Sequence, residues 1–146
     1  MEPRTARCHC GDVQIECAGA PRKISMCHCP DCQRRTGSAF SIAVFFVRQS
    51  VRVVSGTLAT FERPSASGFP VCFQFCTRCG SNVFWEPRRM PELIGIAAGT
   101  FADPLFPRPD QSVWTRDKHA WLALPDGMPC YETGSGQRIG TPRDPG

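Results

Sequence analysis

Seven of the ten cysteines fall into three tight groups: Cys8-His9-Cys10, Cys27-His28-Cys29-Pro30-Asp31-Cys32 and Cys76-Thr77-Arg78-Cys79-Gly80. Thiolates at this density are metal ligands before they are anything else. Four of them saturate a tetrahedral zinc, and three leave one coordination position free. Seven divide into a set of four and a set of three. The chain therefore has the donors for one structural zinc and one zinc able to take a ligand. An even count of cysteines also permits disulfides, but C-x-C and C-x-x-C spacing favours metal.

The spacing constrains the local backbone. Two sulfurs on one tetrahedral zinc sit about 3.8 Å apart, given Zn–S bonds of about 2.3 Å. Residues i and i+2 of a strand are separated by about 6.6 Å. Cys8 and Cys10 must then lie on a bend, which Gly11 permits. Cys76-x-x-Cys79-Gly80 is a zinc knuckle, and Gly80 relieves the turn that closes it. Joining Cys8 and Cys10 to Cys76 and Cys79 would staple the N-terminus to the middle of the chain, a large gain for a small loop-rich domain. Cys27, Cys29 and Cys32 lie within six residues, so a bend plus one helical turn can gather all three. That site is either open to a ligand or closed by His28, Asp31 or a residue distant in sequence. His9 and His28 sit between cysteines, where a bend turns the middle side chain away from the metal, and both are expected to be non-ligands; His28 can still serve as a proton acceptor behind the site.

The elements that hold these groups read as strands. Val13 to Cys17 alternates apolar and polar, and Ser41 to Val47 is a continuous apolar run, the pattern of a buried strand. Val51 to Val54 and Leu58 to Phe61 flank Ser55-Gly56, which predicts a hairpin. Val71 to Phe75, Val83 to Trp85 and Leu93 to Ala98 add further strands. One short helix is predicted around Pro30 to Arg35, with Pro30 at its first position. The expected architecture is mainly β and antiparallel, with short helical turns. Phe40, Phe45, Phe46, Phe73, Phe75, Trp85, Trp114 and Trp121 read as core, one or two of them lining a cleft. Cys17, Cys72 and Cys130 read as buried thiols and His119 as a surface or loop histidine.

The totals agree with one small domain. At 146 residues the chain suits a single zinc-binding domain over 1–132, followed by a glycine- and proline-rich segment, 133–146, expected to be disordered. The formal charge of +4 is a mild excess, scattered along the chain. It suits a small acidic substrate and lacks the dense basic patch of a nucleic-acid binder. The longest apolar run, Ile42 to Val47, is too short to span a bilayer. No apolar stretch precedes the first cysteines, so residues 1–7 carry no secretory-signal pattern and a cytoplasmic location is expected.

The chain resembles the glutathione-dependent formaldehyde-activating enzyme family, also called the centromere protein V and formaldehyde-activating family. The resemblance rests on Cys8-His9-Cys10-Gly11-Asp12-Val13 and on Cys27 to Phe40, which contains Cys-His-Cys-Pro-Asp-Cys-Gln-Arg-Arg-Thr-Gly. It continues through Phe75 to Asn82, Gly99-Thr100-Phe101-Ala102-Asp103-Pro104 and Trp121 to Pro129. These occur in the family's order over residues 8–130. The resemblance implies a zinc-bound β-tent fold. It implies that Cys8, Cys10, Cys76 and Cys79 hold a structural zinc and that Cys27, Cys29 and Cys32 hold a catalytic one. The implied activity joins glutathione to formaldehyde, giving S-(hydroxymethyl)glutathione, a carbon–sulfur lyase reaction run in reverse. Many members carry a histidine in a Pro-x-x-His pattern, where this chain has Pro109-Asp110-Gln111-Ser112. Ser112 stands in that histidine's place.

The chemistry suits the donors. A thiolate-rich zinc is a weak Lewis acid and is better at presenting a nucleophilic sulfur than at activating water. Glutathione is anionic, so cations are needed; Arg34 and Arg35, which follow the zinc cluster directly, are the nearest, and Arg78 is another. Thiol addition to formaldehyde is easy in water, so the same site would also suit a thiol carrier or another carbon–sulfur lyase. The rival expectation is a non-catalytic zinc module for a protein or nucleic-acid partner. Against it, a scaffold needs only the four-cysteine site.

Overall fold

The computed structural model describes residues 2–65 and 68–135. Ten strands form two sheets. Strands β1 (Arg4–Arg7), β2 (Gln14–Cys17) and β5 (Val51–Ser55) make a three-stranded antiparallel sheet in the order β1-β2-β5. The larger sheet adds β3 (Lys23–Cys27), β4 (Ser41–Val47), β6 (Leu58–Arg63), β7 (Val71–Cys76), β8 (Asn82–Pro87), β9 (Leu93–Ala97) and β10 (Gln111–Val113), in the order β10-β3-β4-β9-β8-β7-β6. All its neighbours are antiparallel except β10, which runs parallel to β3. The protein is mainly β, as its short β-branched and aromatic segments predict. Among the described residues no helix is long and apolar enough to cross a membrane.

The continuous apolar run of β4 has a structural cause: both of its faces are covered. Val44 and Phe46 pack with Val13, Ile15 and Cys17 of the small sheet's side, and with Val83 and Ile96. Ala43 and Phe45 point the other way, into a second cluster with Trp85 and Leu93. Burying Phe46 completely contributes about 1.5–3 kcal/mol. In β2 only one face is covered, and it alternates accordingly, with Ile15 and Cys17 buried between half-buried neighbours.

The one helix, α1 (Pro30–Thr36), begins with proline at its first turn and ends on Gly37 at φ 65°, whose N–H bonds the Gln33 carbonyl. Strands β1, β3 and β10 carry no signal in the sequence reading: β1 and β10 are short and polar, and β3 runs directly into a cysteine cluster.

The hairpin expected at Ser55-Gly56 does not form. Strand β5 pairs with β2 and β6 with β7, so the chain changes sheets there. Gly56 makes the crossing possible. Its φ is +95°, and a Cβ would come within 2.6 Å of the Val13 Cα. Other expectations also change. Trp121 is 72% exposed rather than core. Cys130 is exposed and Cys72 only half-buried, while Cys17 is fully buried as expected. Of the segment 133–146, residues 136–146 lie outside the described residues; the Thr133 carbonyl accepts the Trp114 N–H at 3.0 Å.

Replacing Gly56 with alanine is expected to cost about 2–4 kcal/mol in urea unfolding, from positive-φ strain plus the backbone clash. Gly19→Ala, at φ +73° with open space around it, is expected to cost about 1 kcal/mol. Equal losses would show that the crossing does not constrain Gly56.

Candidate functional site

The first cysteine cluster joins the two sheets. Cys8 and Cys10 sit on the turn after β1, closed by the Gly11 N–H to the Cys8 carbonyl at 3.0 Å. Cys76 ends β7, and the Gly80 N–H closes the second turn onto its carbonyl at 2.8 Å. Gly11 and Gly80 both have positive φ, +82° and +76°. The sulfurs of Cys8 and Cys10 are 3.6 Å apart and those of Cys10 and Cys76 3.8 Å, and all four lie within 4.8 Å of one another. Those spacings suit a tetrahedral S4 ion.

Backbone N–H groups aim at the sulfurs, as thiolates require: Val13 at Cys8 (3.2 Å) and Arg78 at Cys76 (3.3 Å). Ser81 accepts the His9 N–H at 3.0 Å and lies 3.3 Å from the Cys79 sulfur, tying both turns together. Its hydroxyl and N–H hold the Cys79 thiol down at about 5. Against the pull of the Asp12 N–H, desolvation and the other three sulfurs push Cys10 up to about 12. Four sulfurs gathered in this way could hold a cation.

The second cluster is built by one strand end and one helix start. Cys27 ends β3, Cys29 is the N-cap of α1, and Cys32 lies one turn in. The Cys29 sulfur takes the cap role of an oxygen, accepting the Cys32 N–H at 3.4 Å, and this brings the two side chains together. The three sulfurs lie within 4.8 Å of one another, and among the described residues no fourth His, Cys, Asp or Glu joins them. The two nearby candidates are engaged elsewhere. Asp31 pairs with Arg63 at 2.8 Å, and the fully buried His28 bonds Ser112 Oγ through Nε2 at 2.6 Å. Neither His9 nor His28 belongs to a cluster. Burial, then the Lys118 charge, lowers the His28 pKa and keeps the imidazole neutral.

Within the triad, charge gathers on Cys32. Hydrogen bonds from the Cys27 and Cys29 thiols, together with Ser41 and the Arg35 guanidinium, pull it down to about 2. The same contacts and burial push Cys27 up. Arg35 is fixed in place: it donates to Asn82 Oδ1 at 2.8 Å, approaches Cys32 Sγ at 3.9 Å, and lies 4.3 Å from the Trp85 ring centroid.

The triad lines a cleft of about 760 Å³. Phe45, Phe73 and Trp85 form one side, and Trp114 and Arg116 another. Trp114 adopts φ +58°, a left-handed conformation that costs a bulky residue about 1–3 kcal/mol. It is held there by its N–H to Thr133, with Thr115 bonded to Tyr131. Arg116 stacks 4.8 Å from the Trp114 ring centroid. Arg89 also lines the cleft and has no hydrogen bond or ion pair among the described residues. Gln33 fastens α1 to this wall, donating to the His28 and Asp117 carbonyls at 2.8 and 3.2 Å. Its Oε1 meets His119 Nε2 at 2.9 Å, so His119 is a loop histidine, as one of the two expectations had it, half-buried in a structural contact.

Of the arginines singled out from sequence, Arg35 supports the triad, Arg34 is exposed and faces a separate cavity, and Arg78 is exposed near the four-cysteine cluster. Arg63, Arg89 and Arg116 were missed, while Trp114 belongs to the aromatics of which one or two are expected to line a cleft. The three arginines come from three different segments, and none carries a spacing that points to the cysteines.

A mainly β protein whose cysteines gather in one cluster of four and one of three, the second in a cleft, has the donors of a thiolate-metal protein. Residues 3–117 match the family described as glutathione-dependent formaldehyde-activating enzyme. A crystal structure of a Rhodobacter sphaeroides protein is 27% identical, over 66% of this chain and 85% of that one, with a TM-score of 0.53. The chain belongs to the glutathione-dependent formaldehyde-activating enzyme family.

Arg35→Gln is expected to raise the Cys32 pKa in the metal-free protein, since the charge favouring the thiolate is lost. The pH midpoint of Cys32 alkylation, read by peptide mass spectrometry, should move upward from its low value. An unchanged midpoint would remove Arg35 from this role.

Proposed function

We propose that the protein is a carbon–sulfur lyase that forms and cleaves S-hydroxymethyl-type adducts between glutathione and an aldehyde. The observation that carries this reading is the three-thiolate cluster, with no fourth ligand among the described residues, facing a cleft with an arginine uncommitted among them. Two zinc ions per chain fit the donors: a structural one on Cys8, Cys10, Cys76 and Cys79, and a catalytic one on Cys27, Cys29 and Cys32. Bound at the triad, zinc would leave one position free and stabilise a thiolate at neutral pH.

The chain's own residues supply the rest. The cleft has the size of a small-ligand pocket and can hold a tripeptide. Arg89 and the stacked Arg116 offer cations for the carboxylates of glutathione. Arg35, locked between Asn82 and the aromatic rings, steadies the Cys32 sulfur and spreads the negative charge of the triad. Phe45, Phe73 and Trp85 keep water from the sulfur-bearing floor, which favours the adduct over the free aldehyde hydrate. The neutral His28 and Ser112, joined by their hydrogen bond beneath the triad, hold β3 to β10. Seven thiols kept for metal require a reducing compartment, and we assign the protein to the cytoplasm.

Metal analysis with glutathione calorimetry tests this reading. The wild type should hold two zinc ions per chain and bind glutathione. Cys29→Ser should hold one and lose glutathione binding, and Arg89→Ala should weaken it about tenfold with metal content unchanged. A single zinc, unaffected by Cys29→Ser and indifferent to glutathione, would leave only a structural zinc module.

A further inference from the structure

One member of the triad, Cys32, lines two cavities. Beyond the cleft, Cys32 also lines a second cavity of about 540 Å³. Asp31, Cys32, Arg35, Arg63 and Phe73 belong to both, so the Asp31–Arg63 ion pair and the Arg35 guanidinium form the shared wall. The two chambers differ in chemistry. The cleft carries Ser25, Ser41, Arg89 and Arg116, groups for a polar peptide. The second chamber is walled by the rings of Phe61, Phe73 and Phe75. Phe61 stands directly across the β6–β7 ladder from Phe73 and is 59% exposed, an aromatic with no core to serve. The Arg35 guanidinium lies 5.1 Å from the Phe73 ring centroid. Arg34 also lines the chamber. It is exposed and makes no hydrogen bond or ion pair among the described residues.

Formaldehyde has two heavy atoms and needs roughly 60 Å³, taking about 30 Å³ for each water-sized atom. A ring-lined chamber nine times that size, sharing Cys32 with the cleft, is not needed to hold it. Its rings select a flat apolar body, and Arg34, free of ion pairs among the described residues, selects an anion.

We propose that this chamber binds the electrophile, and that the electrophile is an aldehyde whose aromatic or similarly flat body ends in a carboxylate. The assignment rests on the lyase reading above. Glutathione occupies the cleft, the aldehyde carbon sits near Cys32, and the carboxylate meets Arg34. The glutathione sulfur adds to the carbonyl carbon, the C=O π pair moves to oxygen, and the proton given up by the thiol ends there. One C–S bond forms, and no oxidant or reductant is consumed.

The test uses 4-(hydroxymethyl)benzoate, an unreactive analogue of 4-formylbenzoate, with benzyl alcohol as its uncharged counterpart. Binding to the zinc-loaded protein is read by calorimetry, and turnover with glutathione is compared for 4-formylbenzoate and formaldehyde. The wild type should bind the acid saturably. Arg34→Ala should weaken the acid about tenfold and benzyl alcohol less than twofold. Phe61→Glu, at another exposed position, should abolish both. The kcat/KM for 4-formylbenzoate should exceed that for formaldehyde. Absence of saturable acid binding to a protein that still binds glutathione would overturn the assignment, as would equal weakening of acid and alcohol by Arg34→Ala. Acid binding as expected, without glutathione turnover of either aldehyde, would sink the lyase reading and leave an aromatic-acid site with no part in electrophile chemistry.

Discussion

Everything in this structure depends on crowding negative sulfur. Four thiols in one place and three in another lie within 4.8 Å of their neighbours. At such distances thiolates would repel one another strongly in a partly buried setting, and a cation held in each cluster would relieve that repulsion. The surrounding chain is arranged to meet that charge. Val13 and Arg78 aim N–H groups at Cys8 and Cys76, Ser81 serves Cys79, and Arg35 serves Cys32.

The two clusters differ in what surrounds them. The four-cysteine set has its donors on two glycine-closed turns, one from each sheet, and no ligand position is left. It acts as a bolt between β1 and β7. The triad sits at a strand end and a helix cap, both on the large sheet's side, where the nearest alternative ligands are engaged: Asp31 by Arg63 and His28 by Ser112. Those two engagements decide whether the second cluster can accept an outside donor.

Strand β4 links the stability of the molecule to its chemistry. One face, Val44 and Phe46, belongs to the core between the sheets, and the other, Ala43 and Phe45, forms the cleft wall with Trp85. Gly95 makes room for that indole, since a Cβ there would stand 2.5 Å from Trp85 Nε1. Trp85 in turn carries the Arg35 guanidinium. The support of the thiolate triad can therefore be traced through a ring and a glycine to the central strands.

The sequence alone determined the ligand types, the cluster membership of Cys27, Cys29 and Cys32, the short helix at Pro30 and most strands, because those depend on neighbours within a few residues. Period-2 alternation, a proline at a helix start and C-x-x-C spacing are local properties. The tertiary structure decided what lies across the sheet. Whether Ser55-Gly56 would close a hairpin or cross between sheets depended on β2 and β7 competing for β5 and β6. Whether Arg34 and Arg35 would serve one cavity or two depended on which way a seven-residue helix faced. The cleft's Arg89, Trp114 and Arg116 come from loops far apart in sequence, and only the packing of those loops around β3 and α1 brings them to the sulfurs. Long-range register leaves no trace in local spacing, and the second chamber is a product of that register.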